Sequence, residues 1–214
     1  LRDLSVSLEK VGNVESAAGR GGQALAAYRE SLEIRRQLRQ VLGDSPQVLR
    51  DLASALNNLG NEQVRAGRVA DGLVMYRESL ALFRQVRIVV GDSPEVLTNL
   101  SIVLNNIGLR ERAVGHPEAA FVAYQECSEL RGQLRQALGN KPSMLRDHID
   151  LLRRLMDAAN AAGRSEDVLK AFRESRMLSD LLRGVPSMPP EPLDEEIEAQ
   201  PEKPKQTPPP PQSQ

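Results

Sequence analysis

The chain has one cysteine, no tryptophan, three tyrosines and three phenylalanines in 214 residues. A lone thiol, Cys127, cannot close an internal disulfide, so the fold does not draw on an oxidising compartment. Aromatics at 3% are too few for a compact core built on large rings. No apolar run approaches the ~20 residues that span a bilayer, and no leader-like segment opens the chain. A surplus of charge is also missing: 28 basic against 29 acidic side chains leaves a net charge of −1, which gives a polyanion little to hold. Neither a glycine-rich phosphate loop nor GxSxG, HExxH or CxxC is present. We expect no enzymatic activity, no cofactor, no metal and a cytoplasmic setting.

Proline is present but unevenly placed. Ten of the fourteen lie beyond Gly184, as Pro186, Pro189, Pro190, Pro192, Pro201, Pro204 and Pro208 to Pro211. That stretch holds six acids against Lys203 and Lys205 and offers little apolar surface to offset the entropy of ordering. Residues 184–214 are therefore expected to be a disordered or polyproline II tail, serving as a spacer or as a ligand for a proline-reading domain.

The rest of the chain repeats. "GDSP" stands at Gly43–Pro46 and at Gly91–Pro94, and "GNKP" at Gly139–Pro142, a constant step of 48. "YRESL" recurs at Tyr28–Leu32 and Tyr76–Leu80, with Tyr124 and Phe172 in the same register. Units of 1–48, 49–96, 97–144 and 145–183 follow, and self-similarity at such a period signals a solenoid. In the second unit Ser45 caps a helix with Pro46 at its first position, Val48, Leu52, Leu56 and Leu59 form its apolar stripe, and Gly67 ends it. A second helix then carries Leu73, Tyr76, Leu80, Phe83 and Val90 on one side and stops at Gly91. Pro46, Pro94, Pro117 and Pro142 all fall at expected helix starts. "GRGG" at Gly19–Gly22 reads as a widened turn between helices.

These units resemble the tetratricopeptide repeat. "LNNLG" (Leu56–Gly60) and "LNNIG" (Leu104–Gly108) match that family's Leu-Gly pair, Ala24, Gly72 and Ala120 its small position, and Tyr28, Tyr76, Tyr124 and Phe172 its aromatic one. Met156 and Val168 depart from the pattern in the last unit. The Asn-Asn pairs and long second helices are similar to the kinesin light chain type of repeat. The resemblance implies an all-α, right-handed superhelical solenoid of about four helix pairs over residues 1–183, working as a protein-interaction scaffold.

Single residues that could do chemistry have structural explanations. Ser31, Ser79, Cys127 and Ser175 share one small position, which makes Cys127 a buried substitute rather than a nucleophile. His116 and His148 are isolated and have no metal-ligand spacing. The first helices offer more. Ser54, Asn57, Asn58 and Asn61 leave the apolar stripe of their helix, and the resemblance places that face in a concave groove. Equivalent positions give Lys10, Asn58, Asn106 and Arg154 as a row across four helices. An amide both donates and accepts, so it can pair with a peptide backbone of any sequence, and Lys10 and Arg154 could hold a carboxylate. The candidate groove is Lys10, Asn13, Asn57, Asn58, Asn61, Asn105, Asn106 and Arg154. Glu9 stands where the family's carboxylate clamp has a lysine.

The expected partner is a protein or peptide, with neither nucleic acid nor membrane involved. A sensor region of a larger signalling enzyme or NTPase is the alternative, as is self-association through Leu1, Leu4 and Leu8, which an upstream repeat would otherwise cover. The acids and bases of the last helix (Asp167, Lys170, Arg173, Glu174 and Asp180) are expected to lie opposite its apolar stripe, as in a terminal cap.

Overall fold

The computed structural model describes residues 1–184, which form eight α-helices; the expectations for the proline-rich tail lie outside these residues. The helices are α1 (Arg2–Ala17), α2 (Gly21–Leu42), α3 (Pro46–Arg65), α4 (Val69–Val90), α5 (Pro94–Ala113), α6 (Pro117–Leu138), α7 (Pro142–Ala161) and α8 (Ser165–Arg183). Each packs chiefly on its neighbours in sequence, odd helices most heavily on the even helix that follows. This nearest-neighbour packing makes an all-α solenoid of four helix pairs.

Local chemistry sets the boundaries. Pro46, Pro94, Pro117 and Pro142 each occupy a first helical position, where the missing N–H costs no hydrogen bond. The Ser45 and Ser93 hydroxyls accept from the backbone N–H groups of Val48 and Val96, at 3.4 and 3.3 Å. Gly43 ends α2 at a φ of 73°, and Gly91 ends α4 at 76°, a region that side chains other than glycine enter at a cost. Arg39 then grips Asp44 across the following loop, as Arg87 grips Asp92. These guanidinium hydrogen bonds hold both carboxyls below their ordinary range.

The core is a single stack of leucine layers, with Leu52, Leu56, Leu100 and Leu152 almost wholly enclosed. Its aromatic component depends on glycine. A Cβ at Gly60 would lie 2.8 Å from the ring of Tyr76, and one at Gly108 would lie 2.6 Å from the ring of Tyr124. In the first three units the glycine of the first helix is the seat of the tyrosine from the second, Gly12 seating Tyr28 in the same way.

Four expectations are corrected. Val86, not Val90, completes the buried stripe of α4, because Leu73, Tyr76, Leu80 and Phe83 continue the 3.6-residue turn at 86, while the last turn of α4 runs into solvent. "GRGG" is not a widened turn: Gly21 and Gly22 are already inside α2, and the bend rests on Gly19 alone, as it does on Gly67, Gly115 and Gly163. Phe172 is 54% exposed, although its register is that of three buried tyrosines. Met156 occupies the glycine position in that unit, so the ring has no seat. Finally, α8 is not a polar cap. Leu169, Met177 and Leu181 join Phe172 in facing solvent, while Glu174 is half-buried, 3.6 Å from the imidazole of His148.

Candidate functional site

Each odd helix is tied to the next odd helix by polar side chains one repeat and one residue apart. The Asn58 amide donates to the Glu9 carboxylate at 2.7 Å. The Asn106 amide donates to the Asn57 carbonyl oxygen at 3.0 Å and reaches that of Asn61 at 3.3 Å. Arg154 donates to the Asn105 oxygen at 2.9 Å. The expected row is thus assembled as a staircase: Asn58, Asn106 and Arg154 do not meet one another but step back onto the preceding helix. Lys10 is exposed and carries no ion pair or hydrogen bond among the described residues.

The asparagines three residues further along α1 and α3 have a different fixture. The Tyr28 hydroxyl donates to the Asn13 oxygen and the Tyr76 hydroxyl to the Asn61 oxygen, both at 2.7 Å. Asparagine at these positions therefore ties the buried ring to the outer face of its own unit. Burial holds all three phenols above their ordinary pKa, which keeps them as donors. In the third unit Leu109 replaces the asparagine, and the Tyr124 hydroxyl, in a fully enclosed side chain, has no partner among the described residues. Tyr76→Phe should cost about 1 kcal/mol. Tyr124→Phe should be neutral or slightly stabilising. Urea midpoints of the two variants check this contrast.

Every amide in the face is used at one end only. Asn13, Asn57, Asn61 and Asn105 accept through their oxygens, and their NH2 groups make no further hydrogen bond among the described residues. Asn58 and Asn106 donate, and their oxygens remain open. The result is a line of amides, half-buried except for the exposed Asn13, each oriented by its neighbour and together presenting both donors and acceptors. Glu9 is committed on both sides, since Arg35, a nearly enclosed arginine of α2, also pairs with it and donates to the Asp51 backbone carbonyl. The departure from a lysine at Glu9 thus has a local structural reason.

Cys127 sits where expected, fully enclosed, with its thiol donating to the Ser101 carbonyl at 3.1 Å, and burial pushes its pKa up to about 11. Ser31 and Ser79 make the same contact to Ser5 and Ala53.

One feature escaped the sequence reading. Between α4 and α6, with α5 as the floor, lies an open cleft of about 790 Å³ lined by Leu80, Leu104, Ile107, Val122 and Ala123. At its rim the enclosed Glu111 carboxylate takes an ion pair from Arg77 and a 2.9 Å contact from His116. Ala119 and Ala123 stand where the preceding unit has Asp71 and Met75, and the lost volume opens the cleft. Comparing the units position by position would have shown that signal.

No protein-family model and no curated protein sequence matches the chain. Its backbone is similar to the crystal structure of BtubC (BKLC) from P. vanneervenii, with a TM-score of 0.67 and 18% identity over 94% of this chain and 73% of that one. It is similar also to the DHF58 filament, with a TM-score of 0.50 and 16% identity over 85% of this chain and 93% of that one. The fold is that of a tetratricopeptide-like helical repeat. No described helix is long and apolar enough to cross a membrane.

Proposed function

We propose that the chain is a protein-interaction module that holds an extended peptide or a partner helix against α1, α3, α5 and α7. Folds of this kind generally serve as protein-interaction scaffolds. The observation that carries the reading is the half-used amide line. Asn13, Asn57, Asn58, Asn61, Asn105 and Asn106 are fixed at one end by a neighbouring side chain and open at the other. Such amides are oriented before a ligand arrives, so binding loses little side-chain entropy, and their mix of donors and acceptors matches a peptide backbone. Lys10 at one end and Arg154 toward the other favour acidic groups on the ligand.

The test separates binding from scaffolding. Asn57→Asp and Asn105→Asp keep the oxygens that accept from Asn106 and Arg154 and replace only the open NH2 ends. Dodecapeptides selected from a phage library against the native chain should lose at least tenfold in affinity for the double variant, with its circular dichroism and melting temperature unchanged. Equal affinity for both proteins would sink the assignment of this face.

A further inference from the structure

We propose that the apolar edge made by the last turns of α2, α4 and α6 is where two copies of this chain pair, edge to edge, about a two-fold axis through the end of α4. The inference uses none of the amide residues and stands apart from the function proposed above.

No side chain after Arg35 in α2, Val86 in α4 or Leu134 in α6 is buried, so the last turn of each of these helices projects beyond the core. Those turns are apolar all the same. Val41, Leu42, Ile88, Val89, Val90 and Leu138 are between 39% and 84% exposed, and Ile88 is the most exposed large apolar residue among those described. Helix formation does not ask for them, since valine and isoleucine are middling helix formers and a lysine or arginine would suit a C-terminal turn better. Together the six leave about 600 Å² of apolar surface in water, the upper end of what a monomer shows and most of the roughly 800 Å² per partner of a stable interface.

The edge is its own complement. Consecutive even helices lie close enough for side chains to bridge them, Arg36 to Glu78 at 3.4 Å and Arg84 to Glu126 at 2.6 Å. Leu42, Val90 and Leu138 are each one repeat apart, so the row of helix ends has the same spacing read in either direction. Reversing one copy sets Val41 and Leu42 opposite Leu138, and the Ile88–Val90 turn opposite itself.

The loops that follow agree in charge. Asp44 of the first loop is 58% exposed beside Arg39, whereas the third loop has Asn140 and Lys141 at the positions of Asp44 and Ser45. Lys141 is exposed and has no ion pair among the described residues. Reversal brings each Lys141 to the Asp44 of the other copy. One position opposes the pairing: Asp92 meets its like near the axis. Each Asp92 keeps its own Arg87 at 2.6 Å, and the same arginine offsets the approach of two like helix dipoles. Like faces that meet about a two-fold close on themselves, so the assembly stops at two. Asn57 and Asn105 lie roughly 16 Å along α3 and α5 from this edge, and pairing leaves the amide line open.

Sedimentation of the 214-residue chain, from micromolar to millimolar, should show the mass rising from 23.6 kDa to twice that value and no further. Ile88→Lys should weaken the pair at least a hundredfold with circular dichroism unchanged, because the native side chain is almost wholly in water and a lysine favours the end of a helix. Val89→Cys should cross-link to its own copy when diamide is added, since a residue at the axis meets itself. Val122→Cys, half-exposed on the flank of α6, should not, and the native thiol of Cys127 is enclosed and takes no part. A chain that stays monomeric throughout overturns the proposal, and so does a mass that climbs past two copies. A dimer that persists in Ile88→Lys overturns it by placing the contact elsewhere, and a dimer in which Val89→Cys fails to cross-link overturns the axis at α4.

Discussion

Gly108→Met lowers the stability of the array by about 3 kcal/mol. The substitution copies into the third unit the residue that the fourth carries at Met156. A Cβ alone would sit 2.6 Å from the Tyr124 ring, and the rest of the methionine would fill the seat. Overpacking of this kind costs roughly 1–3 kcal/mol. Expelling a fully enclosed ring forfeits about 1.5–3 kcal/mol of apolar burial. Against this, leaving glycine behind in a helix gains about 1 kcal/mol. The steric terms win. The Tyr124 hydroxyl adds nothing to the loss, since it has no partner to give up. For a chain of this size each kcal/mol moves the melting temperature by about 2–4 °C, so a fall near 10 °C is expected. Met156→Ala should cost far less, because the ring it would release from competition, Phe172, is already outside. Urea unfolding of both variants, with tyrosine nitration to report Tyr124, checks the pair. A loss below about 1 kcal/mol for Gly108→Met would mean that the ring is not held by its glycine.

Acid loosens the last unit. His148 occupies the position of Leu4, Leu52 and Leu100 and is fully enclosed, with Nε2 2.8 Å from the Ser128 hydroxyl and Nδ1 without a partner among the described residues. Burial, then the nearby charges of Arg135 and Arg131, push its pKa down to about 3. The unfolded chain titrates near 6.5, so between those values the unfolded state binds the extra proton. The stability that the neutral ring permits is complete above about pH 6.5 and is lost as the pH falls toward 3. From about pH 7.5 to about pH 5 that amounts to about 2 kcal/mol. Glu174 faces the same ring at 3.6 Å and works in the other direction, because burial raises its own pKa and it takes up a proton in the folded state as the pH falls. His148→Leu separates the two groups by removing only the histidine contribution. Hydrogen exchange in α7 and α8 at both pH values should show faster opening of the wild type in acid and a much smaller change in His148→Leu. An identical acid response in the two proteins would remove His148 as the cause.

Both predictions come from places where one unit differs from the others, and these differences mark the limit of what could be read in advance. The step of 48, the helix starts at Pro46, Pro94, Pro117 and Pro142 and the enclosed thiol of Cys127 follow from local chemistry and from register, and both are written in the order of residues. Register alone puts a core aromatic at Phe172, as it does at Tyr28, Tyr76 and Tyr124, yet the ring is 54% exposed. Whether the ring finds a seat depends on residue 156, sixteen positions away on another helix.

The sequence by itself determined that the chain is a repeated pair of helices, where each helix starts and stops, and which asparagines share a face. Propensity, capping and periodicity act within a few residues, and repetition makes them legible. Only the tertiary structure decided which end of each amide is already used, which tyrosine lacks a partner and which apolar residues at the ends of α2, α4 and α6 stay uncovered. The amide outcomes depend on side chains some 45 to 49 residues apart meeting across a junction, as Asn106 meets both Asn61 and Asn57, and the tyrosine outcomes on partners 15 residues away on the other helix of the same unit. The angle and depth of that meeting are set by packing, which no single stretch of sequence contains.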